Sequence, residues 1–255
     1  METTQLYFIK LGGSVITDKK INSLAHEDVI SRLAREIKLA LPKTGAKLFL
    51  GHGSGSFGHF AATKFPTQPS QISAAVIKLN RIVITNFLEQ KIPVIPFAPS
   101  SFISAKNQKL VKVFLDPIVQ ALESNQIPVV FGDIILDQTL GHCIFSTEKT
   151  LGIVAEKLKN KFGKISMIYC GDTNGVYDKN KKTIPFITQE NLFQYKKDIS
   201  GSAGVDVTGG MINKIEECLS VAAKLHITTL LINGNTPGEL KRALLGQKVS
   251  GTLIA

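Results

Sequence analysis

A stretch with four glycines in eight residues, 51–58, constrains the fold more than any other part of this chain. It reads GHGSGSFG, follows the apolar run 46–50 and precedes His59 and a helical pattern. Because glycine has no Cβ, such a loop turns sharply and brings its backbone N–H groups close to a ligand, which suits an anion such as phosphate. The order of strand, glycine loop and helix predicts a phosphate-binding loop that ends in a histidine.

Two familiar nucleotide-binding motifs do not account for this loop. The dinucleotide motif GxGxxG matches its last three glycines, but that motif needs an acid about 20 residues further on, and the next Asp or Glu is Glu89. The P-loop pattern GxxxxGK[ST] fails because His59 and Phe60 stand where Lys and Ser or Thr belong. A glycine-rich turn with a structural histidine is the alternative interpretation.

The composition indicates a globular protein with anionic partners. The 255 residues are 44% hydrophobic, and 30 Lys and Arg against 20 Asp and Glu give a formal net charge of +10. Such a charge favours nucleic acid, membrane surfaces or phosphorylated metabolites. The lysines are scattered, and neither an RNP-type aromatic motif nor zinc-finger spacing occurs, so we expect a small-molecule partner and no nucleic acid.

Cysteine usage and hydropathy bear on the compartment. Cys143, Cys170 and Cys218 are odd in number and far apart, which suggests neither a disulfide framework nor a CxxC site. The first residues lack a basic segment followed by an apolar one, and no apolar run approaches 18 residues. We therefore expect a cytoplasmic protein without a membrane partner.

Strand-like and helix-like segments alternate along the chain. The first helical pattern ends at Pro42 and Gly45, residues 100–112 suit a hairpin or flap, and residues 180–202 show no clean period. This alternation predicts an α/β fold, an open αβα sandwich with a mainly parallel central sheet whose ligands lie at the carboxyl ends of the strands. The predicted strands are residues 6–11, 46–50, 92–97, 127–131, 165–169 and 227–232, with 252–254 at the edge. The predicted helices are residues 29–41, 72–89, 116–125, 147–160, 212–225 and 237–245.

Lysines and glycine loops recur where these strands end or helices begin. Lys10 ends the first strand before a Gly-Gly turn, Lys19 follows in the next loop, and the glycine pair of the segment DVTGGM (206–211) opens the helix that carries Lys214. Phosphoryl transfer asks chiefly for positioning and charge neutralisation, which lysines, backbone N–H groups and Mg²⁺ supply. The set predicts a kinase. An acceptor that is itself a phosphate needs no general base, and a histidine can donate a hydrogen bond to it.

In these motifs, over nearly its whole length, the chain resembles the amino acid kinase family. The loop that ends GSFGH is the most specific of them, because family members that have its histidine use it to contact an acceptor phosphate or phosphonate. Acetylglutamate, aspartate and uridylate kinases lack it. The motifs are KLGGS at 10–14, the loop 53–59, FGD at 131–133, the loop 171–177, DVTGGM with Lys214, and GT at 251–252.

The resemblance implies an enzyme that uses ATP and Mg²⁺ to convert isopentenyl phosphate to isopentenyl diphosphate, within the mevalonate pathway of isoprenoid biosynthesis. A kinase of the same fold that acts on another phosphate or phosphonate, as fosfomycin kinases do, is the alternative. A basic nucleic-acid-binding protein on a degenerate kinase fold is a further one. We expect a homodimer in which residues 1–163 bind the acceptor and residues 164–255 bind ATP.

The resemblance also implies residue roles. Lys10 and Lys214 would stabilise the transferring γ-phosphoryl group, Lys19 would assist on the ATP side, and His59 would hold the acceptor phosphate. These four are the expected catalytic residues, and no residue is expected to bind a metal directly. The expected acceptor-binding residues are Gly12, Gly13, Gly53, Ser54, Gly58, His59, Gly132 and Asp133. The expected nucleotide-binding residues are Lys10, Lys19, Asp172, Asn174, Tyr177, Gly209, Gly210 and Lys214.

Three features of the sequence can be interpreted only with a structure. Ser54 stands where the family often has glycine, which is tolerable only if its φ is negative. The segment STEKT at 146–150 stands where the family often has SGDDI and keeps one acid, Glu148, whose role the sequence leaves open. An apolar tail on the acceptor needs a slot, and we expect the helix after the glycine loop to limit tail length. The candidates on that helix are Val76, Leu79, Val83 and Ile84.

Overall fold

Helices and strands alternate through the computed structural model, which describes residues 4–200 and 210–255. The strands are β1 Gln5–Leu11, β2 Lys47–His52, β3 Val94–Pro96, β4 Ile103–Lys106, β5 Lys109–Val113, β6 Ile127–Phe131, β7 Asp133–Asp137, β8 Gly141–Phe145, β9 Lys164–Gly171, β10 Phe186–Ile187, β11 Thr229–Asn233 and β12 Gly251–Ile254. The helices are α1 Gly13–Ile16, α2 Glu27–Thr44, α3 Gly55–Lys64, α4 Pro69–Glu89, α5 Pro99–Phe102, α6 Asp116–Glu123, α7 Thr147–Leu158, α8 Leu192–Ser200, α9 Gly210–Leu225 and α10 Glu239–Leu244.

One large sheet organises the molecule. Its strand order is β10-β12-β11-β9-β1-β2-β6-β3, and every neighbouring pair is parallel except β11 and β12. This confirms the predicted mainly parallel sheet. Strands before and after residue 163 meet at the β1–β9 pair, so the two parts of the chain proposed to bind acceptor and ATP share one sheet. A smaller sheet has the order β5-β4-β7-β8.

The large sheet is covered on both faces, as the predicted αβα sandwich requires. Because side chains alternate along a strand, Leu6 and Phe8 of β1 join the core formed with α7 and α9, whereas Ile9 and Leu11 join the core formed with α2 and α10. Lys10, the next residue after Ile9, therefore belongs to the α7 and α9 face. Among the described ranges no helix combines the length and apolarity needed to cross a membrane.

Two details of the prediction are corrected. Residues 252–254 do not form the edge of the sheet, because β12 lies between β10 and β11 and β10 occupies the edge. Of the two predicted stops of the first long helix, Gly45 is confirmed at φ 64°, whereas Pro42 lies inside the helix, which continues to Thr44. A proline in the last turn removes only one helix hydrogen bond, and a left-handed glycine is the stronger stop.

Three other segments carry more structure than their patterns indicated. The predicted hairpin at 100–112 is confirmed as β4 and β5, preceded by the short helix α5. Residues 180–202, which show no period, contain β10 and α8. The β7–β8 hairpin was not predicted, because its exposed apolar residues obscure the alternation; Leu136 and Ile144 are more than half exposed.

The two glycine loops at the carboxyl ends of β1 and β2 lie directly against each other. A Cβ on Gly13 would lie 2.6 Å from the Gly55 nitrogen, and one on Gly53 would lie 2.7 Å from the Gly13 nitrogen. Thr17 ties the loops together, since its Oγ1 donates to the Gly13 carbonyl at 2.8 Å and accepts from the Ser56 N–H at 2.9 Å. These glycines are therefore needed for contact between loops as well as for approach to a ligand.

Gly55 is the position at which this packing can be tested. Its φ is 52°, and a Cβ there would overlap the Thr17 side chain, which its two hydrogen bonds hold in place. We expect Gly55→Ala to lower the free energy of unfolding by about 2–5 kcal/mol, the sum of left-handed strain and overpacking. Gly45→Ala is the matched control, because its φ is 64° and nothing lies within 4 Å of its Cβ position. It should cost only about 1–2 kcal/mol. Equal losses in urea denaturation would contradict this account.

Candidate active site

The candidate active site lies where β1, β2, β9 and β11 end. Lys10 stands opposite Gly51 on β2 and Tyr169 on β9, so the loops that follow these strands meet at one edge of the sheet. Parallel strands place their carboxyl ends together, and ligands of such sheets bind there. The predicted lysines and glycine loops are thus brought into one region.

Lys10 forms a buried ion pair with Glu148 in the first turn of α7. Only 7% of Lys10 and 6% of Glu148 is exposed, and the Lys10 Nζ lies 5.9 Å from the centre of the Tyr169 ring. Burial by itself raises the pKa of Glu148, but the Lys10 ammonium outweighs burial and holds that pKa below its usual value. Glu148, whose role the sequence left open, is the partner that orients Lys10.

Helix α9 brings a second lysine and a second acid to the same place. The positive charge of Lys214 helps to lower the pKa of both Glu148 and Asp172. Glu217, one turn further along, accepts a hydrogen bond from the Ser146 Oγ at 3.2 Å. Burial, followed by the charge of Glu148, raises the pKa of Glu217. Lys10 and Lys214 thus both act electrostatically on Glu148, and their joint action on one phosphoryl group stays a prediction.

Lys19 lies on the other side of the same edge. Its Nζ is 2.8 Å from the Oδ2 of Asp172, the residue directly after β9, and both side chains are partly exposed. Asn174, in the loop that follows β9, is held by two hydrogen bonds. Its Oδ1 accepts from the side chain of Asn233, at the end of β11, at 3.1 Å, and its N–H donates to the Tyr177 hydroxyl at 3.2 Å. Three of the predicted nucleotide-binding residues thus belong to one ordered loop beside Lys19.

Of the two remaining predicted nucleotide-binding glycines, Gly210 is the first residue of α9. Gly209, with the rest of the predicted segment 206–209, lies outside the described residues.

A cavity of about 90 Å³ lies beside the second glycine loop. Its walls come from α3, α4 and the β7–β8 hairpin, and they combine polar groups with apolar side chains. It brings together five of the predicted acceptor-binding residues. The lining residues are Ser54, Gly58, His59, Ala62, Ile72, Val76, Gly132, Asp133 and Ile144.

The start of α3 contributes polar groups to the lining of this cavity. Ser54 precedes the helix with φ −71°, which confirms that serine is tolerated there. Its N–H donates to no acceptor within the described residues, and the amino end of a helix attracts anions. His59, half-buried, stands one turn into the helix on the cavity wall. An anion held here would meet backbone N–H groups and an imidazole.

The remaining acceptor-binding candidates differ in what they can offer. The N–H groups of Gly12 and Gly53 are already used, donating to the carbonyls of Cys170 and Leu11 at 2.8 and 2.9 Å. These two glycines therefore shape the loops instead of presenting N–H groups. Asp133 is buried and accepts from the Ser100 hydroxyl at 2.9 Å and the Ile134 N–H at 2.8 Å, and burial raises its pKa.

The sequence analysis missed the structural histidine of this region, His52. It is fully buried, its Nε2 lies 3.1 Å from the Asn80 Oδ1, and its ring stacks on Phe131. Burial lowers its pKa, so the ring is neutral at pH 7. The glycine loop is thus flanked by a buried histidine at the end of β2 and by a second histidine that lines the cavity. The position of His52 at the end of an apolar run is the signal that could have identified it.

The residues present suit a metal that arrives with ATP. Across ranges 4–200 and 210–255, no three acidic, histidine or cysteine side chains are grouped to hold a metal ion. The nearest carboxylates, Glu148 and Asp172, are each paired with a lysine. Magnesium commonly keeps water and phosphate ligands instead of an all-protein cage.

A mainly parallel αβα sheet whose carboxyl edge carries lysines, paired carboxylates and two glycine loops is the arrangement of a phosphoryl-transfer enzyme. The sequence profile of the amino acid kinase family matches residues 5–233. The chain belongs to that family.

Within the family, the chain is similar to isopentenyl phosphate kinases. The chain is 32% identical to isopentenyl phosphate kinase of Methanocaldococcus jannaschii and 33% identical to that of Methanothermobacter thermautotrophicus, with 98% of each chain covered in both cases. An X-ray structure of isopentenyl phosphate kinase superimposes with a TM-score of 0.81 at 28% identity, covering 98% of this chain and all of that one.

The buried pair predicts different behaviour for the two lysines. We expect Lys10→Ala to abolish most kcat and also to destabilise the fold by about 3–5 kcal/mol, because it leaves Glu148 buried without its partner. Lys214→Ala should reduce kcat with a smaller change in Tm, since Lys214 is only half-buried.

The double variant Lys10→Met/Glu148→Met separates the two effects. It should recover Tm but not activity, because no charge is left unpaired in the core. Steady-state kinetics beside thermal unfolding measures both. A Lys10→Ala protein with normal kcat and only a raised KM would contradict a transition-state role.

Proposed function

We propose that this kinase transfers the γ-phosphoryl group of ATP to isopentenyl phosphate, giving isopentenyl diphosphate and ADP. The cavity carries this proposal, because its lining combines Ser54 and His59, which can hold an anion, with the apolar side chains of Ile72, Val76 and Ile144. A small phosphate ester with a branched apolar tail matches that combination. The relatives named isopentenyl phosphate kinase, which cover nearly the whole chain, support the same substrate.

The chemistry follows from the groups at the edge of the sheet. An oxygen of the acceptor phosphate attacks the γ-phosphorus, and the bond from that phosphorus to the bridging oxygen of ADP breaks. The attacking oxygen is already ionised, so no side chain has to remove a proton. This fits a site in which the carboxylates are engaged, Glu148 and Asp172 with lysines and Glu217 with Ser146.

Charge neutralisation is left to the lysines. Lys10 and Lys214 would meet the transferring phosphoryl oxygens, and Glu148 holds Lys10 in orientation. Such fixed positive groups, shielded from water, stabilise charge that develops during transfer. Mg²⁺ bound to ATP would neutralise further phosphate charge. Lys19 and the loop after β9 would contact the nucleotide, so residues 164–255 supply most of the ATP side.

The setting of the enzyme belongs to the same proposal. Production of isopentenyl diphosphate places it in isoprenoid biosynthesis, in a mevalonate-type pathway. Three free, buried cysteines are compatible with the cytoplasm. The exposed side chains of Leu88 on α4 and Ile95 on edge strand β3 support a homodimer formed across this edge.

His59 provides the direct test of the acceptor site. A charge-assisted hydrogen bond to the acceptor phosphate contributes roughly 1.5–3 kcal/mol. His59→Ala should therefore lower kcat/KM for isopentenyl phosphate about 10- to 150-fold, while Tm and the affinity for ATP stay near wild type. His59→Gln, which keeps an N–H donor, should recover part of the loss. If His59 only packs beneath the loop, the Ala variant will lose thermal stability and bind both substrates less well. A stable and fully active Ala variant would exclude the proposed role.

The apolar lining of the cavity predicts which side chains limit the length of the acceptor's alkyl tail. Of the four candidates on α4, Val76 lines the cavity, whereas Leu79 and Val83 are buried in the central core and Ile84 packs against it. Val76→Ala and Ile144→Ala should shift the relative kcat/KM of a panel of alkyl phosphates toward longer tails. Leu79→Ala is the control, which should lower Tm by a core cavity without changing the order of preference. An unchanged order in all three variants would place the tail elsewhere.

A further inference from the structure

We propose that the chain carries a second small-molecule site, at the opposite end of the large sheet, for an anion with an apolar tail. A cavity of about 310 Å³ lies where β2, β3 and β6 begin, whereas the active site lies where β1, β2 and β9 end. It is larger than the acceptor cavity and falls within the usual range for ligand pockets. The kinase reaction leaves it without a role.

Three helix ends build the walls of this second cavity. Helices α2, α4 and α6 stop at its rim, and each passes into the next segment through a left-handed residue: Gly45 at φ 64°, Lys91 at φ 59° and Asn125 at φ 57°. The last turns of α4 and α6 are closed by backbone bonds, from Ile92 to the Phe87 carbonyl and from Gln126 to the Ala121 carbonyl. These bonds satisfy two of the carbonyl groups at the helix ends. The partial negative charge that helix carboxyl ends carry must be offset by the lysines of the cavity lining.

The interior of the cavity is apolar. Its walls include five side chains, Ile37, Leu48, Ile92, Leu122 and Ile127, that are at least 94% buried within the chain. A well-formed apolar cavity that opens at a protein surface favours a ligand able to bury hydrocarbon. The tail of an amphiphile would lie against the more accessible apolar lining residues, Leu41, Pro42 and Pro93.

The charged residues of the cavity lining indicate an anionic ligand. Three lysines line the cavity, Lys38, Lys47 and Lys91, and its lining contains no Asp or Glu. Lys47 is engaged, because its Nζ donates to the Leu122 carbonyl at 2.6 Å and the Asn125 Oδ1 at 3.0 Å. Lys38 and Lys91 are exposed residues of the same lining. Exposed lysines on an apolar cavity match a phosphate or diphosphate head, so the proposed occupant is an alkyl or prenyl phosphate or diphosphate.

Calorimetric titration of the full chain with geranyl diphosphate tests this site, with inorganic pyrophosphate as the head alone and geraniol as the tail alone. We expect geranyl diphosphate to bind more tightly than either part. Lys38→Ala/Lys91→Ala should weaken it at least about tenfold by removing both charge-assisted contacts. Lys78→Ala/Lys224→Ala is the control, because it removes two exposed lysines outside the cavity lining and should leave binding unchanged. Basal kinase activity should be unchanged in both. Leu41→Trp, which places a large ring at the cavity wall, should also weaken binding.

Several results would overturn the proposal. One is equal binding by wild type and the Lys38→Ala/Lys91→Ala variant; another is pyrophosphate binding as tightly as geranyl diphosphate. Binding lost in His59→Ala but kept in the lysine variant would place the probe in the acceptor cavity, without bearing on kinase activity. Co-sedimentation with phosphatidylcholine vesicles that contain phosphatidic acid, with no binding of the soluble probe, would assign the lysines to a lipid surface instead.

Discussion

Burial of the Lys10 side chain is the constraint on which the active site depends. Taking an ammonium group out of water costs several kcal/mol, and only a well-placed partner offsets that cost. Glu148 is that partner, because α7 starts beside the end of β1 and Ser146 caps its first turn, accepting from the Lys149 N–H at 3.0 Å. The pair joins α7 to β1 and holds a positive charge where water screens it little. In the proposed mechanism, a lysine held in this way would act on the transferring phosphoryl group from a fixed position.

Contact between the two glycine loops positions the start of α3 beside the cavity proposed to bind the acceptor. Only glycine lets the Gly12–Gly13 turn approach the loop after β2 closely enough for Thr17 to bond to both. That approach places the start of α3 next to Lys10's strand and directs its amino end toward the acceptor cavity. In the proposed reaction, the lysines would act on the transferring phosphoryl group and the amino end of α3 on the acceptor phosphate.

Much of this arrangement could be predicted from local patterns. The apolar runs at β1, β2, β6 and β9 are each followed by glycine or a polar turn, which is why their strands and the parallel sheet were predicted correctly. Lys10 stood out as a charged residue in an apolar run. The β7–β8 hairpin was missed because Leu136 and Ile144 are exposed apolar residues, and it supplies one wall of the acceptor cavity. The tail residues were predicted only to the level of a helix, since periodicity does not say whether Val76 or Leu79 faces a cavity.

The sequence by itself determined the family, the fold class and the candidate phosphate-binding groups, because glycine spacing, strand periodicity and isolated lysines are local features of the chain. Tertiary structure decided what those groups do to one another. Glu148 and Lys10 are 138 residues apart, and no local pattern pairs a carboxylate with one lysine rather than another. The roles of His52 and His59, which flank the same glycine loop, were also decided by tertiary structure. His52 is buried against Phe131, whereas α3 places His59 on the cavity wall. Contacts between residues far apart in sequence, such as Lys10 and Glu148, form only when the helices pack on the sheet.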